Sequence, residues 1–374
     1  MKIIADDKIP FLKGVLEPFA DVEYYPGSKI SKDHISNADA LLIRTRTKCN
    51  KNLLEGTSVK FIATATIGFD HIDTQYCKEA GIKWTNAPGC NSSSVQQYII
   101  CALFHLALKH NFDLQDKTLG IIGVGNVGSK VLNMAEELGM RIVLNDPPRM
   151  RSEGLCGFIS LNGIINEADI LTFHVPLNHE GTDKTYHMVD SGFFNKLKRE
   201  VFIINSSRGE IIETNALKNA IKSGLVRDAV IDVWENEPGI DTELLSLVEI
   251  GTSHIAGYSL DGKAKGTAMS VNALSKFFNL PYIDWYPSGL PPVPDNLITV
   301  NCNGKSTEHI LAEAVSSTYN ITDDSRVLKA DPGLFENYRG NYPLRREYGA
   351  YKVKIINEEG NIREVLTKSG FSVI

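Results

Sequence analysis

The chain has 374 residues, 43% of them hydrophobic and 22% charged, with 39 basic against 45 acidic side chains and a net charge of −6. That balance belongs to a globular protein of two or three domains, and the acidic excess argues against nucleic acid as a partner. No apolar run reaches the ~18 residues that span a bilayer, and the opening Met1-Lys2-Ile3-Ile4-Ala5-Asp6-Asp7 turns acidic too early for a secretory leader, so the cytoplasm is the expected compartment and no membrane contact is expected.

Short apolar runs at Lys2–Ala5, Ala40–Ile43 and Phe61–Ala65 each end in polar residues, at Asp6-Asp7, Arg44-Thr45-Arg46 and Thr66-Ile67-Gly68. Runs of this length between longer polar stretches predict buried parallel strands with helical crossovers. The polar ends then lie at the carboxyl edge of the sheet, where open α/β sheets bind ligands. A helix is predicted over 93–109 from the recurrence of Ile99, Ala102, Leu103, Leu106 and Ala107.

Further strands are predicted at 117–122, 141–144, 170–173, 201–204 and 228–231, giving a doubly wound domain. Prolines at 281, 287, 291, 292 and 294 mark a boundary, and strand-like Leu297–Val300, a helix near 306–319 and Tyr351–Ile355 make a third unit. The expected division is 1–94 with 258–280, 95–257, and 281–374. The six cysteines, Cys49, Cys77, Cys90, Cys101, Cys156 and Cys302, form no C-x-x-C pair and no zinc spacing, so they read as reduced, small buried side chains and no metal is expected.

Gly123-Val124-Gly125-Asn126-Val127-Gly128 has the G-x-G-x-x-G pattern after a predicted strand and before a predicted helix. The first glycine permits a tight turn, the second a close approach of backbone to a pyrophosphate, and the third close packing of helix on strand. The helix N-terminus then faces the phosphates. Asp146 ends the next strand, where a carboxylate accepts both ribose hydroxyls and repels a 2′-phosphate, which favours NAD over NADP; Arg149 and Arg151 nearby temper that preference.

Three later segments end predicted strands on the same edge: Asn205-Ser206-Ser207-Arg208-Gly209, Asp232 through Pro238, and His254-Ile255-Ala256-Gly257-Tyr258. Oxidising a secondary alcohol needs a base for the hydroxyl proton, and His254 has the suitable range. Glu237 suits the carboxylate that orients and stabilises the imidazole. Arg208 suits the planar fork that holds a substrate carboxylate.

With His174-Val175-Pro176-Leu177, these segments resemble the D-isomer-specific 2-hydroxyacid dehydrogenases over roughly residues 1–280. The resemblance implies a Rossmann-type doubly wound NAD domain, a flavodoxin-like substrate domain closing over the cofactor cleft, and the catalytic set Arg208, Glu237 and His254. It puts cofactor contacts on Val175, Ser206, Ser207, Arg208, Asp232 and Gly257. Ser253 departs from the family, which usually has proline before the histidine.

Asp146-Pro147-Pro148-Arg149, the run His254 to Lys263 and Tyr342-Pro343-Leu344-Arg345-Arg346 resemble one subgroup, which acts on a four-carbon phosphorylated acid on the way to pyridoxal 5′-phosphate. That implies an α+β C-terminal dimerisation domain and a homodimer. Thr45, Thr66 and Tyr258 are the expected substrate contacts, with Arg44 or Arg46 near the phosphate, and Arg345 and Arg346 are candidates to reach a partner's cleft. A dehydrogenase of D-3-phosphoglycerate and a non-catalytic NAD-sensing binding protein are the competing readings. The C-terminal unit does not resemble an amino-acid-sensing domain, and the anion-binding loops argue against the binding protein.

Overall fold

The computed structural model describes residues 1–154 and 157–374; Cys156 lies outside them. In the N-terminal part the apolar runs become strands β1 (Lys2–Asp6), β3 (Ala40–Ile43) and β4 (Phe61–Thr64), joined by β2 (Asp21–Tyr25) and β5 (Lys83–Thr85). All pair in parallel in the order β2-β1-β3-β4-β5, the flavodoxin-like order. β3 and β4 are buried throughout, whereas the edge strands β2 and β5 are half exposed. An edge strand needs no continuous apolar run, and for that reason Asp-Val-Glu-Tyr-Tyr and Lys-Trp-Thr gave no strand signal.

The chain returns to this sheet through the helix Leu260–Phe278, capped by Ser259, whose Oγ accepts the Gly262 N–H at 2.9 Å. Val271 and Leu274 share a core with Ile3, Ala5, Leu42 and Phe61. A Cβ on Gly266 would stand 2.7 Å from the Ala65 carbonyl oxygen, so only glycine lets the helix come this close.

The second sheet contains β6 (Thr118–Ile122), β7 (Arg141–Asn145), β8 (Ile170–Phe173), β9 (Val201–Asn205), β10 (Val226–Ile231) and β11 (Ile250–Gly251), in the parallel order β11-β10-β9-β8-β6-β7. Beyond β7, Phe158 makes a single parallel bridge to Leu144. That bridge keeps the third position of the dinucleotide-binding order 3-2-1-4-5-6. The helix Ser92–His110 is buried on nearly every side, and its Ile99 and Leu103 share a core with Ile310, Leu311 and Val315 of the C-terminal segment. That segment carries a parallel sheet of its own, β12 (Leu297–Asn301), β13 (Lys352–Ile356) and β14 (Ser372–Val373), with helices between the strands.

The chain divides into two compact units, 1–91 with 259–291 and 92–258 with 292–374, where the sequence suggested three. The shared core with Ser92–His110 merges the C-terminal segment into the second unit. Residues 281–291 join the first instead, because Tyr282 donates to the Val15 carbonyl at 2.7 Å and the Trp285 N–H to Asn272 at 2.8 Å. Tyr258, grouped with the substrate domain from sequence, falls in the second unit. The five described cysteines are free and buried. Among the described residues no helix is long and apolar enough to cross a membrane.

Candidate active site

The glycine loop leaves β6 at Gly123, whose φ is +90°. A Cβ there would stand 2.6 Å from the His174 carbonyl oxygen, and one on Gly128 would stand 2.0 Å from that of Gly123. These two glycines are demanded by the protein's own packing. Gly125 differs: a Cβ there meets nothing within 4 Å, and Gly125 and Asn126 are exposed, so this stretch of backbone is open for a ligand. Val127 follows, half-buried, and the helix Gly128–Glu137 starts directly after it. Its amides and dipole favour an anion at that end.

Asp146 follows β7 and accepts the Val124 N–H at 2.9 Å and the Arg149 N–H at 3.0 Å. An ionised carboxylate has about four acceptor positions, so two remain for a ligand's hydroxyls. Arg149 turns to Glu153 and to the Val124 carbonyl, and Arg151 pairs with Asp183. Each arginine that tempered the preference for NAD therefore has a carboxylate partner in the protein.

After β9 the Asn205 side chain knits its own loop. Its Oδ1 accepts from the Ser207 N–H at 3.1 Å and hydroxyl at 2.8 Å, and its Nδ2 donates to the Arg208 carbonyl at 2.9 Å. Arg208 Nη1 donates to the Ser207 carbonyl at 2.7 Å. The Ser206 hydroxyl is buried without a hydrogen-bond partner. An orphaned buried hydroxyl costs free energy unless a ligand pairs with it, so Ser206 fits a cofactor-facing group. A Cβ on Gly209 would sit 2.0 Å from the Trp234 carbonyl carbon, which shows how tightly this loop presses on the next.

That next loop carries Glu237, which links two segments. Its Oε1 accepts the Trp234 N–H at 2.9 Å and its Oε2 lies 2.8 Å from His254 Nδ1. Burial alone would raise the Glu237 carboxyl, but the adjoining His254 and its hydrogen bonds outweigh burial and hold it below the usual range. An ionised Glu237 only accepts, so Nδ1 carries the proton and Nε2 presents its lone pair. His254 has φ +55° and its N–H donates to the Asp232 carbonyl at 2.7 Å.

Asp232, 1% exposed, accepts from the Thr252 hydroxyl and the Ile255 N–H at Oδ1, at 2.6 and 2.8 Å, and from the Ala256 N–H at Oδ2, at 2.9 Å. Most of its capacity is spent holding the loop after the histidine. The Ile255 and Ala256 carbonyls are held from the other direction by Arg345 Nη2, at 3.1 and 2.5 Å. The expectation that Arg345 reaches a partner's cleft is therefore corrected. Arg345 is buried within its own unit, over the rings of Tyr319 and Tyr342. The Arg346 carbonyl accepts from Gln97 at 3.2 Å. Nothing in the sequence beyond two adjacent arginines pointed to this clamp, because its partners lie about ninety residues away.

Val175 is half-buried beside Gly123, and a Cβ on that glycine would meet it at 2.9 Å. Gly257 is half-buried after the clamped pair. Tyr258 packs edge-to-face on Tyr342 at 5.9 Å, under the Arg339 guanidinium. In the first unit Thr45 and Arg46 are exposed at the end of β3, and Arg44 donates to the Lys8 carbonyl at 3.3 Å. Thr66 donates to the Gly68 carbonyl at 3.0 Å and lies 2.7 Å from the Thr64 hydroxyl, which His71 Nε2 meets at 3.1 Å. Burial pushes His71 down to about 4, so it is neutral and its Nε2–H starts this relay.

The second unit thus presents an open glycine loop and an oriented imidazole at one sheet edge. Comparison with known proteins agrees with that chemistry. Residues 105–256 match the model of the D-isomer specific 2-hydroxyacid dehydrogenase NAD binding domain, and residues 290–368 match a domain of unknown function. The chain is 54% identical to an erythronate-4-phosphate dehydrogenase of Bacteroides fragilis over 95% of this chain and 99% of that one. It is 41% identical to the enzyme of that name from Photorhabdus laumondii, over 100% and 99%. Among solved structures it is similar to a D-lactate dehydrogenase from Aquifex aeolicus complexed with NAD and lactic acid, with TM-score 0.61, 26% identity, and coverage of 74% and 95%.

Proposed function

Because this chain belongs to the erythronate-4-phosphate dehydrogenase family, we infer that it oxidises carbon 2 of 4-phospho-D-erythronate to 2-oxo-3-hydroxy-4-phosphobutanoate, the NAD-dependent step of pyridoxal 5′-phosphate synthesis. The observation that carries the chemistry is the 2.8 Å contact between His254 and Glu237 at the edge of the sheet with the glycine loop.

Bound NAD supplies the hydride acceptor. Gly123, Gly125, Asn126, Val127 and Gly128 would hold its pyrophosphate, and Asp146 its ribose hydroxyls. Val175, Ser206, Ser207, Arg208, Asp232 and Gly257 would line the nicotinamide end. The open backbone at Gly125 and the orphaned Ser206 hydroxyl support this set. His254 Nε2 takes the proton of the substrate's 2-hydroxyl. Glu237, already ionised, stabilises the imidazolium that results. Arg208 binds the substrate carboxylate with its planar fork.

Thr45, Thr66 and Tyr258 contact the remainder of the acid, and Arg44 or Arg46 its phosphate. The protein works as a homodimer built through the C-terminal segment, in the cytoplasm. The test is NADH absorbance with 4-phospho-D-erythronate and D-3-phosphoglycerate in parallel, with a carbonyl trap present to remove the 2-oxo product. Turnover on the erythronate alone supports the inference; turnover on the glycerate alone, or on neither, overturns it.

A further inference from the structure

Arg339 belongs to a short helix of the C-terminal segment, Phe335–Gly340, and no feature of the sequence marks it. Its side chain is only 16% exposed. A guanidinium has five N–H donors in a rigid fork, and burying them unpaired is costly. Yet Nε is buried without a hydrogen-bond partner. Among the described residues its one carboxylate within 4 Å is Glu336 Oε1, at 3.8 Å from Nη1, beyond hydrogen-bond length. The guanidinium lies over the Tyr258 ring, 5.5 Å from its centroid.

Two features tie this side chain to the chemistry. Tyr258 stands four residues after His254 in the same loop, and Arg339 is close enough to Glu237 for its charge to help keep that carboxyl ionised. The contrast with Arg345 is informative. Arg345 is also buried and likewise leaves Nε and Nη1 unpaired, but its Nη2 donates to the Ser94 hydroxyl and two carbonyls, and two rings enclose it. Arg345 therefore ties down the loop after the histidine through Nη2, whereas Arg339 leaves Nε unpaired over the Tyr258 ring, with its charge felt at Glu237.

We propose that Arg339 is a specificity-determining residue that binds the phosphate of the substrate, a dianionic tail that a simple 2-hydroxy acid lacks. The assignment rests on the substrate reading above. Arg208 answers the carboxylate next to the reacting carbon, and Arg339 joins Arg44 or Arg46 in answering the second anion. A contact to the non-reacting end affects binding more than the chemical step, so it shows mainly in KM.

The experiment compares wild-type protein with R339Q and R339K on 4-phospho-D-erythronate, and measures D-erythronate as a competitive inhibitor, which requires no turnover. Wild-type turnover comes first, since its absence removes the substrate reading itself. R339Q should raise KM for the phosphorylated acid by about 10- to 100-fold, the range of a charge-assisted hydrogen bond lost. The inhibition constant for D-erythronate should change far less, so the ratio of the two constants shifts by at least about tenfold. R339K, keeping charge but not the fork, should fall between. NAD affinity and melting temperature check that R339Q is folded. Equal losses on both acids would show that Arg339 acts through Glu237 or Tyr258, and no loss on either would show an idle side chain; both results overturn the proposal.

Discussion

The two units contain parallel sheets of closely related order, and each brings polar loops to its carboxyl edge, yet the edges are built differently. In the first unit Thr45 and Arg46 are exposed, and the next loop is tied by a hydroxyl relay from His71 through Thr64 and Thr66 to Gly68 and by Asn86 Nδ2, which donates to the Ile67 carbonyl at 2.7 Å. In the second unit the loops are fixed from inside. Asn205 ties 205–208, Glu237 ties Trp234 to His254, and residues 255–256 are held by Asp232 at their N–H groups and by Arg345 at their carbonyls. Proton and hydride transfer tolerate little displacement, while an anion can be gathered by exposed side chains that adapt.

The largest effects should come from the fixed edge. H254A should lower kcat on the order of 10²–10⁴-fold, the usual contribution of a positioned acid–base group, with NAD affinity retained. Loss of NAD binding in that variant would make His254 a structural residue instead. R208K should lose more than about 10²-fold, because a point charge cannot reproduce the fork.

Glycine substitutions divide packing from ligand contact. G209A places a Cβ against the Trp234 backbone and should destabilise the protein by about 1–3 kcal/mol or more in urea unfolding. G125A meets nothing, so stability should stay within about 0.5 kcal/mol, while the NAD Kd should rise about tenfold or more, or ~1.4 kcal/mol. A G125A protein with normal NAD affinity would break the assignment of the loop.

Acid tests the comparison more gently. Burial pushes His71 down to about 4 and His174, in the second unit, down to about 3. Unfolded, each histidine titrates near 6.5, so between that value and its folded one the unfolded chain binds more protons. Stability contributed by each neutral histidine is therefore complete above pH ~6.5 and lost as pH falls, at up to about 1.4 kcal/mol per pH unit. Melting curves from pH 7 to 4.5 should show this fall, and H71Q and H174Q should each flatten it. Unchanged slopes in both variants would contradict the buried, neutral state. The smallest effect should come from T66A, which removes one hydroxyl from the relay and should raise substrate KM by about tenfold or less.

Much of the architecture was legible because buried parallel strands write themselves as apolar runs, as at Ala40–Ile43 and Val201–Asn205. β2 and β5 escaped because an edge strand need not be apolar, and β14 because two residues carry no pattern. The candidate residues that follow strands could be picked out by position and chemistry, and two of them, His254 and Glu237, meet at 2.8 Å. Arg345 and Arg339 were not legible in this way, since their meaning depends on packing against residues eighty or more positions away. The sequence separates a C-terminal unit, and residues 290–368 match a domain model of their own, but the core shared by Ile99, Leu103 and Ile310, which groups that segment with 92–258, is invisible to local composition.

The most direct test of the account is oxidation of 4-phospho-D-erythronate deuterated at carbon 2, followed by mass analysis of the reduced cofactor, for wild-type protein and H254N. The account predicts that wild-type protein transfers the deuterium to the cofactor, and that H254N does so on the order of 10²–10⁴-fold more slowly with NAD affinity intact. Cofactor reduced without deuterium, or H254N turning over at the wild-type rate, would contradict it.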